Sequence, residues 1–259
     1  MKVLFIGDVI GRPGRLFLKS LLSGIVHNRS IDFVIANGEN AAGGFGITEK
    51  TANELFAMGV QVITTGNHVW DKKETVQYLF SENKILRPLN FPPDVPGFGS
   101  IVFNLKNGLK VGVINLIGRV FMNLSDCPFR AVIPEIEKIK KITNIIIVDM
   151  HAEATSEKQA LSYYLDGKVS AVVGTHTHVQ TSDEKILPYG TAYITDVGMV
   201  GPMVSVIGVQ VEQIVRKFLN QIPQKYDVAK GSCFFCGVVI DIDNQTGKAT
   251  GIERLLVNE

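Results

Sequence analysis

The sequence predicts an α/β sandwich in which two sheets carry helices on their outer faces. Three observations lead there. Short continuous apolar runs rich in Val and Ile recur at 3–6, 33–36, 60–63, 111–114, 145–148 and 171–173. Stretches with helical spacing lie between several of them, and the last part of the chain turns strand-rich. Runs of this length without polar alternation are the pattern of strands buried on both faces.

Taken in order, the first run ends at Gly7-Asp8 and leads into a helix over 12–26, where Leu18, Leu21, Leu22 and Ile25 share one face. The second ends at Gly38-Glu39-Asn40 and precedes a helix over 48–58 that Thr48 caps. The third is followed by Gly66-Asn67-His68. The run at 145–148 continues into Asp149-Met150-His151, after which Ser156-Glu157-Lys158-Gln159 has the form of a capping box opening a helix to Leu165. The run at 171–173 leads to Gly174-Thr175-His176-Thr177-His178. A further helix over 209–219 stops near Pro223. Segments 234–243 and 250–257 flank Asn244-Gln245-Thr246-Gly247, which predicts an antiparallel hairpin. No repeat, low-complexity tract or linker interrupts the chain, so a single domain over 1–259 is expected.

The formal net charge is +1 with no long block of either sign, so the sequence carries no strong signal for a nucleic-acid or membrane partner. No apolar stretch approaches the ~20 residues of a membrane helix, and the N-terminus lacks the pattern of a signal peptide, so a cytoplasmic protein is expected. Cys127, Cys233 and Cys236 are too few for a disulfide framework. The last two have redox-motif spacing, but in a predicted strand they point to opposite faces and read as packing residues.

Five apolar runs are each followed by candidate metal ligands: Asp8, then Glu39 with Asn40, then Asn67 with His68, then His151, then His176 with His178. Singly, such residues cap helices or bond backbone carbonyls. Together, in a protein class that gathers residues at strand ends, they point to a metal site. Several imidazoles argue against Mg²⁺ or Ca²⁺ alone, and the lack of cysteine argues against structural zinc, which leaves Mn, Fe or Zn. So many ligands suit two ions sharing a bridging carboxylate. His27 reads as a surface histidine. Residues 7–14 lack both the dinucleotide-binding and the P-loop glycine patterns. Arg12 and Arg15 read as a solvated helix face or as phosphate-facing cations. The segment 118–130, with Arg119, Phe121 and Phe129, reads either as a pocket wall or as a loop docked on the core or on another subunit.

The order Gly-Asp, Gly-Glu-Asn, Gly-Asn-His, a lone His and Gly-Thr-His-Thr-His resembles the calcineurin-like metallophosphoesterases. Within them, three motifs are similar to the YmdB-type bacterial phosphodiesterases. These are Gly7-Asp8-Val9-Ile10-Gly11-Arg12-Pro13-Gly14, Ala36-Asn37-Gly38-Glu39-Asn40-Ala41-Ala42-Gly43-Gly44 and Thr195-Asp196-Val197-Gly198-Met199. The resemblance implies a four-layer α-β-β-α sandwich. It implies hydrolysis of cyclic nucleotides, with 2′,3′-cyclic ones favoured, through attack of a metal-activated hydroxide on phosphorus. Asp8, Glu39, Asn40 and His178 then hold one ion and Glu39, Asn67, His151 and His176 the other, with Fe or Mn favoured and Zn admitted. His68 stands outside the ligand set and protonates the leaving oxygen. The chain departs from the wider superfamily in lacking a His two residues after Asp8 and in having Glu39 where Asp is usual. Both departures belong to the YmdB-type branch, in which Asn40 completes coordination. A phosphomonoesterase or protein phosphatase on the same centre, and a regulatory protein with a structural metal, are the alternatives. A small phosphoester is the expected partner, and a homo-oligomer is left open.

Overall fold

Each of the six apolar runs coincides wholly or in part with a strand of the computed structural model, which describes residues 1–259; the strands at 60–63 and 145–148 start only at Val62 and Ile146. β1 (Lys2–Ile6), β2 (Asp8–Val9), β3 (Phe33–Asn37), β4 (Val62–Thr64) and β5 (Ile85–Leu86) begin the first sheet, with α1 (Gly11–Arg29), α2 (Glu49–Met58) and α3 (Lys73–Leu79) between them. β6 (Ser100–Asn104), β7 (Lys110–Ile117), β8 (Ile146–His151), β9 (Ala171–Thr175), β10 (Lys185–Ile186) and β11 (Ala192–Ile194) form the second, with α4 (Pro128–Lys140) and α5 (Thr155–Tyr164). The chain then returns to the first sheet through β12 (Met199–Pro202), α6 (Val211–Asn220) and the hairpin β13 (Cys233–Ile242) and β14 (Ala249–Asn258).

Parallel pairing decides where the candidate ligands lie. β1, β3, β4 and β5 are parallel, with Ile6 beside Ala36 and Asn37 beside Thr64. Asp8, Glu39 and Asn67 therefore leave neighbouring strands at the same edge, the carboxyl end at which α/β sheets gather their sites. In the second sheet β7, β8 and β9 are parallel, and His151 stands directly beside Thr175, one residue before His176. β14 runs along all of β13, so the other edge of β13 is divided between β1 and β12.

Burial on both faces explains the unbroken apolar runs. Val3, Phe5, Phe33 and Ile35 of the first sheet share one core with Val113, Ile147, Val173 and Ile194 of the second. Alternate residues Leu4, Ile6 and Val34 pack instead with Leu18 and Leu22 of α1 and Leu55 of α2. On the second sheet Ile146 and Val148 pack with Val132 and Ile136 of α4 and Leu161 of α5. The helix α6 buries none of its residues, and no helix is long and apolar enough to cross a membrane.

One local expectation fails. The capping box at 156–159 does not form: α5 starts two residues earlier, with Ala154 at the cap position and no side-chain cap. Glu157 accepts the backbone N–H groups of Arg119 and Val120, at 3.0 and 3.3 Å, and tethers the start of the loop after β7. The reciprocal box occurs at Thr48 and Thr51, where two hydroxyls do the work usually given to Glu or Gln. The segment 118–130 ends in helix from Pro128 onward, whose buried face is Val132, Ile136 and Ile139.

α5 also contributes a buried cation. Lys158 Nζ donates to Asp196 Oδ2 at 2.8 Å, and both side chains are essentially sealed from solvent. Asp196 accepts as well from the Thr177 amide and hydroxyl and from the Gly198 amide, so it fixes the residue between His176 and His178. Lys158→Met leaves that carboxylate buried without its cation and is expected to cost about 3–5 kcal/mol. Urea unfolding checks this; a loss below about 1 kcal/mol contradicts it.

Candidate metal centre

Asp8, Glu39, Asn40, His151 and His178 are all buried and stand at the facing ends of the two sheets. The predicted ligands fall into two neighbouring groups. In one, His151 Nε2 lies 3.0 Å from Glu39 Oε1, 3.1 Å from Asn67 Oδ1 and 3.1 Å from His176 Nδ1. Glu39, His151 and His176 together form a cluster able to bind a metal ion. In the other, His178 Nε2 lies 3.6 Å from Asp8 Oδ1, too far for a hydrogen bond. The Nδ1 of His178 donates to the Ile207 carbonyl at 2.9 Å, which leaves Nε2 as the free nitrogen facing Asp8.

Three oxygens test whether cations fit here. Asp8 Oδ1, Glu39 Oε1 and Asn40 Oδ1 are buried and accept no hydrogen bond. An orphaned buried acceptor costs about 1–3 kcal/mol, more when charged, and three on neighbouring candidate ligands is the pattern expected where cations sit. Asn40 Nδ2 donates to the Gly44 carbonyl at 2.9 Å, which fixes the amide with Oδ1 as the unpartnered end. The donor set of carboxylate, amide and imidazole without thiolate suits Mn, Fe or Zn.

The surrounding chain holds these side chains at a cost. His176 and His178 both adopt left-handed backbone conformations, with φ of 100° and 65°. Non-glycine residues pay roughly 1–3 kcal/mol for such strain, which persists where the surroundings over-determine it. Gly66 is required by close approach, because a Cβ there would overlap the His151 ring. Arg15 donates to the Ala41 carbonyl and, at 2.7 Å, to Glu54, so it clamps the loop after Glu39 to α1 and α2. His151 Nδ1 is 2.9 Å from Thr175 Oγ1, which donates to the buried Asp149 at 2.8 Å. That chain orients the ring, as partners behind metal-binding histidines do.

Burial acts to lower the pKa of His178, but the Asp8 carboxylate outweighs it and raises it to about 9. Burial acts to raise Asp8, yet His178 and His151 hold it at about 2. Burial and the nearby His151 take His176 down to about 3. A cation binds only the unprotonated imidazole, so uptake near pH 7 must expel a proton from His178. Apparent affinity is therefore expected to rise with pH and level off as pH approaches the His178 value of about 9. Calorimetric titration with Mn²⁺ in buffers of different ionisation enthalpy reads that proton; zero release near pH 7 contradicts the assignment.

His68 stands apart from both groups. Its amide donates to Glu39 Oε2 at 3.0 Å, while its ring is partly exposed and Nδ1 lies 2.8 Å from Asp71 Oδ2. Phe45 packs edge-on against the ring at 5.0 Å. Asp71 was not singled out from the sequence; the signal available was its position three residues after His68, within the turn that follows β4. The adjoining pocket has a volume of about 360 Å³ and apolar walls from Ile10, Phe45, Ile207, Tyr226 and Val228. The segment 118–130 does not line it, and Phe121 points into solvent. Cys233 and Cys236 are buried free thiols in β13, and burial pushes Cys236 up to about 11, which suits packing rather than redox chemistry.

Two facing sheets with candidate ligands at their meeting edge define a class, and a family model for YmdB-like proteins matches residues 4–255; the chain belongs to that family. It is 49% identical over 259 residues, 100% of this chain and 98% of the relative, to a Bacillus subtilis protein named 2′,3′-cyclic-nucleotide 2′-phosphodiesterase. Among solved structures, a hypothetical protein from Thermus thermophilus superposes with a TM-score of 0.93 at 42% identity, covering 100% of both chains. A Mycoplasma pneumoniae protein described as a novel phosphatase superposes with a TM-score of 0.93 at 36% identity, covering 100% of this chain and 93% of the other.

Proposed function

We propose that this chain is a dinuclear metal-dependent phosphodiesterase acting on cyclic nucleotides, with 2′,3′-cyclic ones favoured. Family membership and the names of its relatives make it a phosphoric ester hydrolase. The observation that carries the metal reading is the set of unpartnered buried oxygens on Asp8, Glu39 and Asn40. In this reading Asp8, Glu39, Asn40 and His178 hold one ion and Glu39, Asn67, His151 and His176 the other, with Glu39 shared. Fe or Mn is favoured, with Zn admitted. When bound, such ions neutralise phosphoryl charge and lower the pKa of water from ~15.7 towards 7. The three cores support a four-layer α-β-β-α sandwich made by one domain; a cytoplasmic setting is proposed separately.

The chain's own residues do the rest. His68, oriented by Asp71, protonates the leaving oxygen, a role open to it because its ring is partly exposed at the pocket. Thr175 and Asp149 hold the tautomer of His151, and the Ile207 carbonyl holds that of His178. The apolar walls of the pocket suit a nucleobase and exclude water from it. The phosphatase reading draws support from the description of the Mycoplasma pneumoniae relative. Protein reconstituted with Mn²⁺ or Fe²⁺ and offered 2′,3′-cyclic, 3′,5′-cyclic and phosphomonoester substrates separates the two. The 2′,3′-cyclic diesters are expected to have the highest kcat/KM; equal or faster turnover of monoesters overturns the diester reading.

A further inference from the structure

The fold gathers cations that the sequence scatters. Next to the metal pocket, and sharing Tyr226 and Val228 with it, lies a groove of about 1070 Å³. Arg12, Lys72, Lys225 and Lys230 line it. That groove continues past Arg12 and Leu16 into a further concavity of about 730 Å³ lined by Arg15, Lys19 and Lys50. Of these seven cations only Arg15 is ion-paired, to Glu54. The other carboxylates along the track are Asp227 and Glu259, and both already accept hydrogen bonds from the protein, from Gln213 and from the Cys233 amide. In a chain of net charge +1 this is a one-sided concentration of positive charge. Tyr226 and Phe17 also line it, and aromatic side chains are what bases stack on.

A mononucleotide needs only the metal pocket, which leaves the unpaired cations without a role. The 2′,3′-cyclic phosphate itself narrows the choice of polyanion. It requires a 2′-hydroxyl, so only RNA carries it, at the 3′ end left when the 2′-hydroxyl attacks the adjacent phosphodiester and expels the downstream 5′-hydroxyl. We infer that the groove binds the backbone of single-stranded RNA whose 3′-terminal 2′,3′-cyclic phosphate lies in the metal pocket. The inference rests on the proposed phosphodiesterase reading. The reaction adds one water across the cyclic diester, breaking one P–O bond and leaving a terminal phosphomonoester and a free hydroxyl. The enzyme class that supplies this substrate is an RNA-cleaving transesterase.

The test compares 2′,3′-cyclic AMP with a pentaribonucleotide ending in a 2′,3′-cyclic phosphate, on wild-type protein and on Lys19→Glu/Lys230→Glu. Both substituted residues are exposed and lie outside the metal pocket. The pentamer is expected to have a kcat/KM at least about tenfold higher than the mononucleotide, an advantage that shrinks between about 50 and 200 mM salt. The double variant loses that advantage while its rate on the mononucleotide stays within about twofold of wild type. A second readout needs no turnover. Fluorescence anisotropy of a labelled pentamer bearing a 3′-phosphate, on chelator-treated protein, is expected to show about tenfold weaker binding by the variant. Equal rates on both substrates, with binding indifferent to the substitutions, overturn the RNA inference and leave the phosphodiesterase reading standing. Turnover of neither substrate by metal-loaded protein overturns both.

Discussion

Glu39→Gln is expected to lower kcat/KM by about 10³-fold or more, equivalent to about 4 kcal/mol of transition-state stabilisation. The substitution keeps the volume of the side chain and removes its charge. Glu39 is fully buried, with Oε2 holding the His68 amide and Oε1 unpartnered 3.0 Å from His151 Nε2. A neutral amide there presents either a poorer acceptor or an N–H group to the position where cations are assigned. Metal content should fall together with the rate, because this carboxylate is proposed to serve both ligand groups. Steady-state kinetics paired with elemental analysis checks this. A variant that keeps two ions and more than a tenth of its rate contradicts the bridging role.

His68→Ala separates acid catalysis from metal binding. Its ring touches Asp71 and Phe45 and none of the unpartnered oxygens. Both ions should be retained and KM should change little, while kcat falls about 10²–10⁴-fold, the range for loss of a positioned proton donor. Asp71→Asn should give a smaller loss of kcat with KM little changed, because Asp71 acts on the ring rather than on substrate. Loss of one ion per chain in His68→Ala would make His68 a ligand and refute its assignment as proton donor. Substrates with a better leaving group should be less sensitive to the substitution, since they need less protonation.

The candidate ligands were legible because each follows an apolar run, and parallel pairing of β1, β3 and β4 carries those ends to one edge. The C-terminal hairpin was legible from its polar turn, and 48–58 from the cap at Thr48. What was not legible is long-range or short. β2, β5 and β10 have two residues each, too few for any periodicity to register. The face of α4 did carry a helical signal in Val132, Ile136 and Ile139, hidden behind the irregular stretch before Pro128. The false capping box at Ser156 failed because the helix starts upstream, after Ala154, which places Ser156 inside its first turn, while Glu157 faces the loop after β7 and accepts the amides of Arg119 and Val120. The pairing of Lys158 with Asp196, the Asp149–Thr175–His151 chain and the basic groove beside Tyr226 join residues from separate elements. No local pattern announces such contacts, since only the fold makes them neighbours.

Two ions at Asp8, Glu39, Asn40, Asn67, His151, His176 and His178 are the central assignment, and stepwise reconstitution tests it most directly. Chelator-treated protein titrated with Mn²⁺ or Fe²⁺ should bind two equivalents per chain, with hydrolysis of a 2′,3′-cyclic nucleotide negligible before loading and complete only as the second equivalent is taken up. Full activity in the ion-free protein, or saturation of both binding and rate at one equivalent, would contradict it.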